Sequence, residues 1–151
     1  MEEQKIKVLA LLPMELPKEI DLDNTLEAMQ KFVGGLIECI TLSDTGSAVT
    51  LVCNDEGKLL GLPLNRPLWD GADVLAGPGF LAGCDSEGNL TSLPQSAMDF
   101  YKEKFRVFII EIYKSPISQK DMLIMKSHLC FPSVYERREK LWLISRRIFL
   151  H

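Results

Sequence analysis

The stretch Cys53-Asn54-Asp55-Glu56-Gly57-Lys58-Leu59-Leu60-Gly61-Leu62-Pro63-Leu64-Asn65-Arg66 carries the densest turn chemistry in the chain. Asn54-Asp55-Glu56-Gly57 has the composition of a tight reversal, with a glycine where a positive φ is needed. A short strand over residues 58–60 can follow it. Residues 61–70 read as irregular, since Pro63 and Pro67 each remove a ladder donor. Strands therefore approach this stretch from both sides, and the chain is organised as β structure about a loop.

Upstream, residues 36–42 and 48–53 are rich in Ile, Leu, Val and Thr and are joined by Ser43-Asp44-Thr45-Gly46-Ser47, the pattern of an antiparallel hairpin. Before them, residues 24–33 read as a helix. Asn24 caps it, Glu27 completes a capping box, Leu26, Met29 and Val33 share a face, and Gly34-Gly35 stops it. Residues 5–12 form a strand that becomes continuously apolar and ends at Pro13, with a polar connector over residues 17–23.

Downstream, residues 73–84 form a strand broken or bulged at Gly77-Pro78-Gly79, and Asp85-Ser86-Glu87-Gly88-Asn89 is another tight turn. Ser92 and Pro94 open a second helix with an apolar stripe of Ala97, Tyr101, Phe105 and Phe108. Residues 107–113 fit either a continuation of this helix or a strand. Two further helices are expected after Ser118 and after Ser133. The fold class is thus α+β: a four- to five-stranded antiparallel or mixed sheet with two packed helices and a helical C-terminal extension. The expected units are a compact domain over residues 1–113 and a basic helical extension over residues 114–151.

A chain of 151 residues matches one ordinary domain and can bury a core without staples. No apolar run reaches the roughly 20 residues that span a bilayer, and the N-terminus lacks the basic opening of a secretory signal, so a cytoplasmic protein with no membrane association is expected. Cys39, Cys53, Cys84 and Cys130 are widely spaced, without a C-x-x-C pair, and read as reduced, buried thiols. Charge is uneven. Residues 1–105 hold 17 acidic and 8 basic groups, and residues 106–151 hold 4 and 9. The basic tail can dock on the acidic body or meet an acidic partner.

Chemistry is sparse. The only histidines are His128 and His151, too few for a zinc site or a triad, and no calcium-loop spacing, nucleophile elbow, P-loop or dinucleotide fingerprint is present. Neither enzymatic activity nor a cofactor or metal is expected. Net charge disfavours nucleic acid on the body. The last helix, with Arg137, Arg138, Lys140, Arg146 and Arg147, could contact a phosphate backbone or an acidic partner, although a solvated basic face is the commoner explanation of such a pattern. In the opening stretch, Leu59, Leu60, Leu62 and Leu64 read as core and Asn65 as tying its own backbone. Alternatively, Asn54, Glu56, Lys58, Asn65 and Arg66 line one loop surface that binds a nucleotide-like ligand or a polar protein partner.

Three pieces carry a family resemblance: Leu26-Glu27-Ala28-Met29-Gln30-Lys31-Phe32-Val33-Gly34-Gly35-Leu36-Ile37-Glu38, then Cys53-Asn54-Asp55-Glu56-Gly57-Lys58, then Gly61-Leu62-Pro63-Leu64-Asn65-Arg66. With residues 73–85 they resemble a small domain-of-unknown-function family of bacteriophages, plasmids and conjugative elements, over about residues 5–105. The resemblance implies a non-catalytic accessory protein of a mobile element, and similarity of some such proteins to anti-CRISPR inhibitors implies a host defence protein as partner. It brings no catalytic residues and leaves the basic tail uncovered.

Overall fold

The computed structural model describes residues 4–114, with side chains through Arg106 apart from Asp70. Eight strands and two helices follow in the order β1 (Lys5–Leu11), β2 (Lys18–Asp23), α1 (Leu26–Val33), β3 (Ile37–Leu42), β4 (Val49–Asn54), β5 (Leu64–Leu68), β6 (Asp73–Ala76), β7 (Gly79–Cys84), β8 (Leu90–Thr91) and α2 (Gln95–Lys114). The main sheet runs β2-β1-β7-β4-β3, with β8 beside β7, and β5 and β6 form a separate two-stranded sheet. Every strand pair is antiparallel. The α+β class and the antiparallel sheet hold, but the sheet has six strands rather than four or five.

Period-two alternation splits the core into two layers. On one face, Leu9, Leu11, Leu51 and Leu81 pack with Leu93, with Ala97, Met98, Tyr101 and Phe105 of α2 and with Leu68 and Leu75 of the β5–β6 hairpin. On the other, Ile6, Val8, Val52, Phe80 and Ala82 pack with Met29 and Val33 of α1. The sheet is therefore sandwiched, and all six residues of β4 are buried. The Phe32 ring meets Phe80 edge-on at 5.4 Å, a favoured aromatic geometry.

Several local expectations need correction. The cap of α1 is Thr25, whose hydroxyl accepts from Ala28 N at 3.2 Å. Asn24 instead donates its side-chain amide to Leu90 O, tying the chain to β8. The stop is as expected: Gly34 takes φ 80° and donates to Gln30 O. The connector over residues 17–23 contains the edge strand β2, in which Ile20 and Leu22 are half-buried while Lys18, Glu19, Asp21 and Asp23 face solvent. Charged edges of this kind resist unwanted strand addition.

Residues 58–60 are not a strand but part of a turn. Pro67 lies within β5, which is tolerable because β5 has one neighbour, β6. Ser92 does not cap α2; its hydroxyl accepts from Lys7 N. The α2 helix continues through residues 107–113 as one of the two expected alternatives. Of the cysteines, Cys53 is buried, Cys84 half-buried and Cys39 exposed on the edge strand β3. Cys130, the two later helices and residues 115–151 of the expected extension lie outside the described residues.

Candidate functional site

The opening stretch lies where α1, β4 and the β5–β6 hairpin meet. Asn54 ends β4 with its side chain turned inward. Its Oδ1 accepts from Glu56 N at 2.9 Å, which shapes the reversal, and its Nδ2 donates to Val33 O at 3.2 Å. That second bond satisfies a carbonyl at the end of α1, one of the groups a helix leaves unpaired. Asp55 N donates to Leu36 O at 2.9 Å, continuing the β3–β4 ladder into the turn.

The turn closes at Gly57, whose N–H donates to Asn54 O. A Cβ at Gly57 would stand 2.6 Å from Ala76 O, so this glycine is required by close packing on β6 and not by the positive φ expected of it. Leu60 N then donates to Glu56 O and Leu62 N to Gly57 O, winding residues 56–62 into a compact coil. Leu59 is 88% exposed and Leu60 59%, and Leu36 at the foot of the turn is 62% exposed. The expectation that Leu59 and Leu60 fill the core is wrong, because the coil holds them away from the sheet.

The five expected binding residues do not share one surface. Asn54, Asn65 and Arg66 are buried, at 6%, 3% and 0% exposure, whereas Glu56 and Lys58 are exposed. Lys58 pairs with Asp73, whose carboxylate also accepts from Val74 N. Asn65 does not tie its own backbone. Its Nδ2 donates to Leu11 O at 2.7 Å and to Gly77 O at 2.9 Å, joining the end of β1 to the link between β6 and β7. Its Oδ1 accepts from Arg66 Nε at 2.7 Å. A register shift between Leu64 and Arg66 accompanies this arrangement.

Arg66 is the largest fully buried side chain among the described residues. Its Nη2 donates to Leu12 O and Glu15 O, each at 3.0 Å, and its guanidinium carbon lies 5.6 Å from the centre of the Phe105 ring. Burial pushes its pKa down to about 10. Burial likewise raises the Cys53 thiol to about 11, with the Glu38 charge adding to the effect.

Residue types alone did not single out Leu36, Phe105 or the carbonyls of Leu12 and Glu15. The one usable signal was the Leu59-Leu60 pair inside a polar turn, which breaks the alternation of the flanking strands. Among the described residues, no three His, Cys, Asp or Glu side chains converge as a metal site, and no helix is long and apolar enough to cross a membrane. Arg137, Arg138, Lys140, Arg146 and Arg147 lie outside the described residues.

A family profile described as a domain of unknown function, DUF3846, matches residues 6–106. The chain belongs to the DUF3846 family. The matched span takes in the whole sheet, α1, the hairpin and the half of α2 that packs on the core. The DUF3846 domain is therefore the three-layer unit itself, and the match ends before the basic tail. No curated protein and no solved structure matches the chain.

Proposed function

We propose that this DUF3846 protein is a non-catalytic accessory protein of a phage or other mobile element, which binds and inhibits a host defence component such as a CRISPR-type nuclease. The observation that carries the reading is the display of Leu59 and Leu60 on a turn anchored at Asn54 and Gly57. Adjacent apolar side chains held in water on an ordered coil suit a partner's pocket. Leu36 adds a third such side chain at the foot of the turn, and Glu38, Asp55 and Glu56 are exposed beside it. A partner with an apolar pocket rimmed by lysine and arginine complements this surface, and nucleic-acid channels of nucleases carry such basic rims.

A nucleotide-like ligand lying across the loop is less well supported, since Asn54 and Asn65 are bonded inside the fold. The alternative of nucleic-acid contact through the basic tail concerns residues outside those described. The test is a cleavage assay with a guide-loaded type II CRISPR nuclease and added full-length chain. Inhibition at low salt, weakened by salt and lost when Leu59→Ser and Leu60→Ser are combined, supports the proposal. The double variant should melt within a few degrees of wild type, since both side chains are already in water. No complex with any nuclease or effector at low salt sinks it.

A further inference from the structure

The two outer strands of the main sheet, β2 and β3, are built differently. In an antiparallel ladder, opposed residues exchange both backbone bonds at one pair and none at the next, so every second residue of an edge strand turns its N–H and C=O outward. In β2 the phase is set by Asn24 N donating to Gln4 O. The outward groups there belong to Glu19, Asp21 and Asp23, so an arriving strand meets three carboxylates. In β3 the phase is set by Asp55 N donating to Leu36 O. Glu38, Ile40 and Leu42 therefore bond β4, and Ile37, Cys39 and Thr41 turn their backbone outward.

None of those three residues is charged, and β3 has neither a proline nor a register shift. Glu38 is its single charge. Among the described residues β4 is the one neighbour of β3, so the outward groups have no ladder partner. The side chains tell the same story. Ile37 packs on the α1 layer and Ile40 on the α2 layer, and both are only half-buried, so each core layer is open at this edge. The usual devices that blunt an edge strand are thus present on β2 and missing from β3.

We propose that β3 is a dimerisation edge, pairing antiparallel with β3 of a second copy of this chain about a two-fold axis at Cys39. The strand is complementary to itself in this register. Cys39 opposes its own counterpart and Ile37 opposes Thr41 of the second copy, so every outward N–H and C=O of both strands finds a partner. Glu38 opposes Ile40 of the second copy, which keeps the two carboxylates diagonal rather than face to face. An axis at Glu38 would set those carboxylates directly opposite, and an axis at Ile40 would pair Ile37 with Ser43, past the end of the strand. A second copy supplies this match by symmetry. One continuous sheet then runs from β2 of one copy to β2 of the other, and the acidic β2 edges close the assembly at two copies. The ladder uses neither Leu59 nor Leu60, so it goes beyond the protein-binding reading and does not rest on it.

The experiment measures the mass of the full-length chain by light scattering over a concentration series, with a thiol reductant present so that disulfides play no part. Wild type should approach twice the 17.0 kDa of one chain as concentration rises. Cys39 is exposed, so Cys39→Lys and Cys39→Glu should each fold. Each sets two like charges face to face at the axis and should stay at the mass of one chain. Mixed in equal amounts, the two variants set opposite charges face to face, and the doubled mass should return. That recovery requires position 39 to face itself, which a dimer through another surface would not provide. If a variant fails to fold, amide exchange of the wild type decides: the Ile37, Cys39 and Thr41 amides should exchange more slowly as concentration rises. Wild type at the mass of one chain throughout overturns the proposal. So does a doubled mass kept by either variant alone, a mixture that stays at the mass of one chain, or fast exchange of those three amides at every concentration.

Discussion

Replacing Asn65 with alanine tests whether one amide holds the hairpin to the sheet. Three bonds meet at this side chain: donation to Leu11 O at 2.7 Å, donation to Gly77 O at 2.9 Å, and acceptance from Arg66 Nε at 2.7 Å. Asn65 is 3% exposed, so water cannot replace them without entering the core. Each buried group left without a partner costs about 1–3 kcal/mol, and the guanidinium bond lies at the upper end because its donor is charged. The expected loss is therefore about 4 kcal/mol or more, a large part of the roughly 5–15 kcal/mol that keeps a domain folded. Urea unfolding followed by circular dichroism should show a lower midpoint at unchanged slope. Asn65→Asp should also destabilise. It offers Arg66 a counter-charge, yet it sets an oxygen against Leu11 O and Gly77 O. Arg66→Met, made alone and with Asn65→Ala, completes a double-mutant cycle, and the two losses should fall short of additive by about 0.5–3 kcal/mol. An Asn65→Ala protein within about 1 kcal/mol of wild type, or strict additivity, would refute the reasoning.

Gly57→Ala should destabilise by about 1–3 kcal/mol, because its Cβ would press to 2.6 Å on Ala76 O and the turn must move off β6; a melt unchanged from wild type would show that the turn gives freely. Thr25→Ala removes the oxygen that accepts from Ala28 N and should cost about 1 kcal/mol in urea unfolding, whereas Thr25→Ser should cost less. Alkaline stability should fall first through Cys53, a thiol raised from 9.0 to about 11: the unfolded chain releases its proton above pH 9 and the folded chain holds it to about pH 11. By linkage this removes about 1.4 kcal/mol between pH 8 and pH 10, and Cys53→Ala should flatten that slope. Tyr101, raised to about 12, acts in the same sense, whereas Arg66, lowered to about 10, acts in the opposite one, so their smaller effects near pH 10 offset each other. An unchanged slope in Cys53→Ala would transfer the effect to Cys39, which burial also raises.

Local signals predicted what they physically control. Gly34 stops α1 because a left-handed residue must end that helix, and the β3–β4 hairpin follows from two β-branched runs around a polar loop. The turn at Asp85 forms because its carboxylate accepts from Glu87 N and Asn89 N. The edge strand β2 was harder to read. Lys18-Glu19-Ile20-Asp21-Leu22-Asp23 alternates, but only two apolar residues mark it, since an edge strand over one helix buries little. β5 was hidden by Pro67, whose missing donor is harmless on a strand with one neighbour. The misplaced leucines and the misplaced polar groups of the central stretch share one cause. Residue type was taken to decide inside from outside, but Arg66 is solvated by carbonyls 51 and 54 positions away, and such long-range partners leave no local trace.

The inversion of that stretch, polar groups inside and leucines outside, has a mechanical consequence. Asn54 bonds the end of α1 to the end of β4, and Asn65 bonds β1 to the link before β7. Between these two anchors the chain has only residues 55–64 to span. Bonds from Gly57, Leu60 and Leu62 wind that span tightly. Leu59 and Leu60 are thus presented by backbone fixed at both ends, and an anchored turn loses less entropy on meeting a partner than a free loop does. The buried amides and the exposed leucines are one device: polar stitches that hold three elements together also make an apolar pair available outside the core. This accounts for a small domain keeping costly buried polar groups beside two leucines in water, since replacing the buried amides with apolar residues would release the turn that presents the leucines.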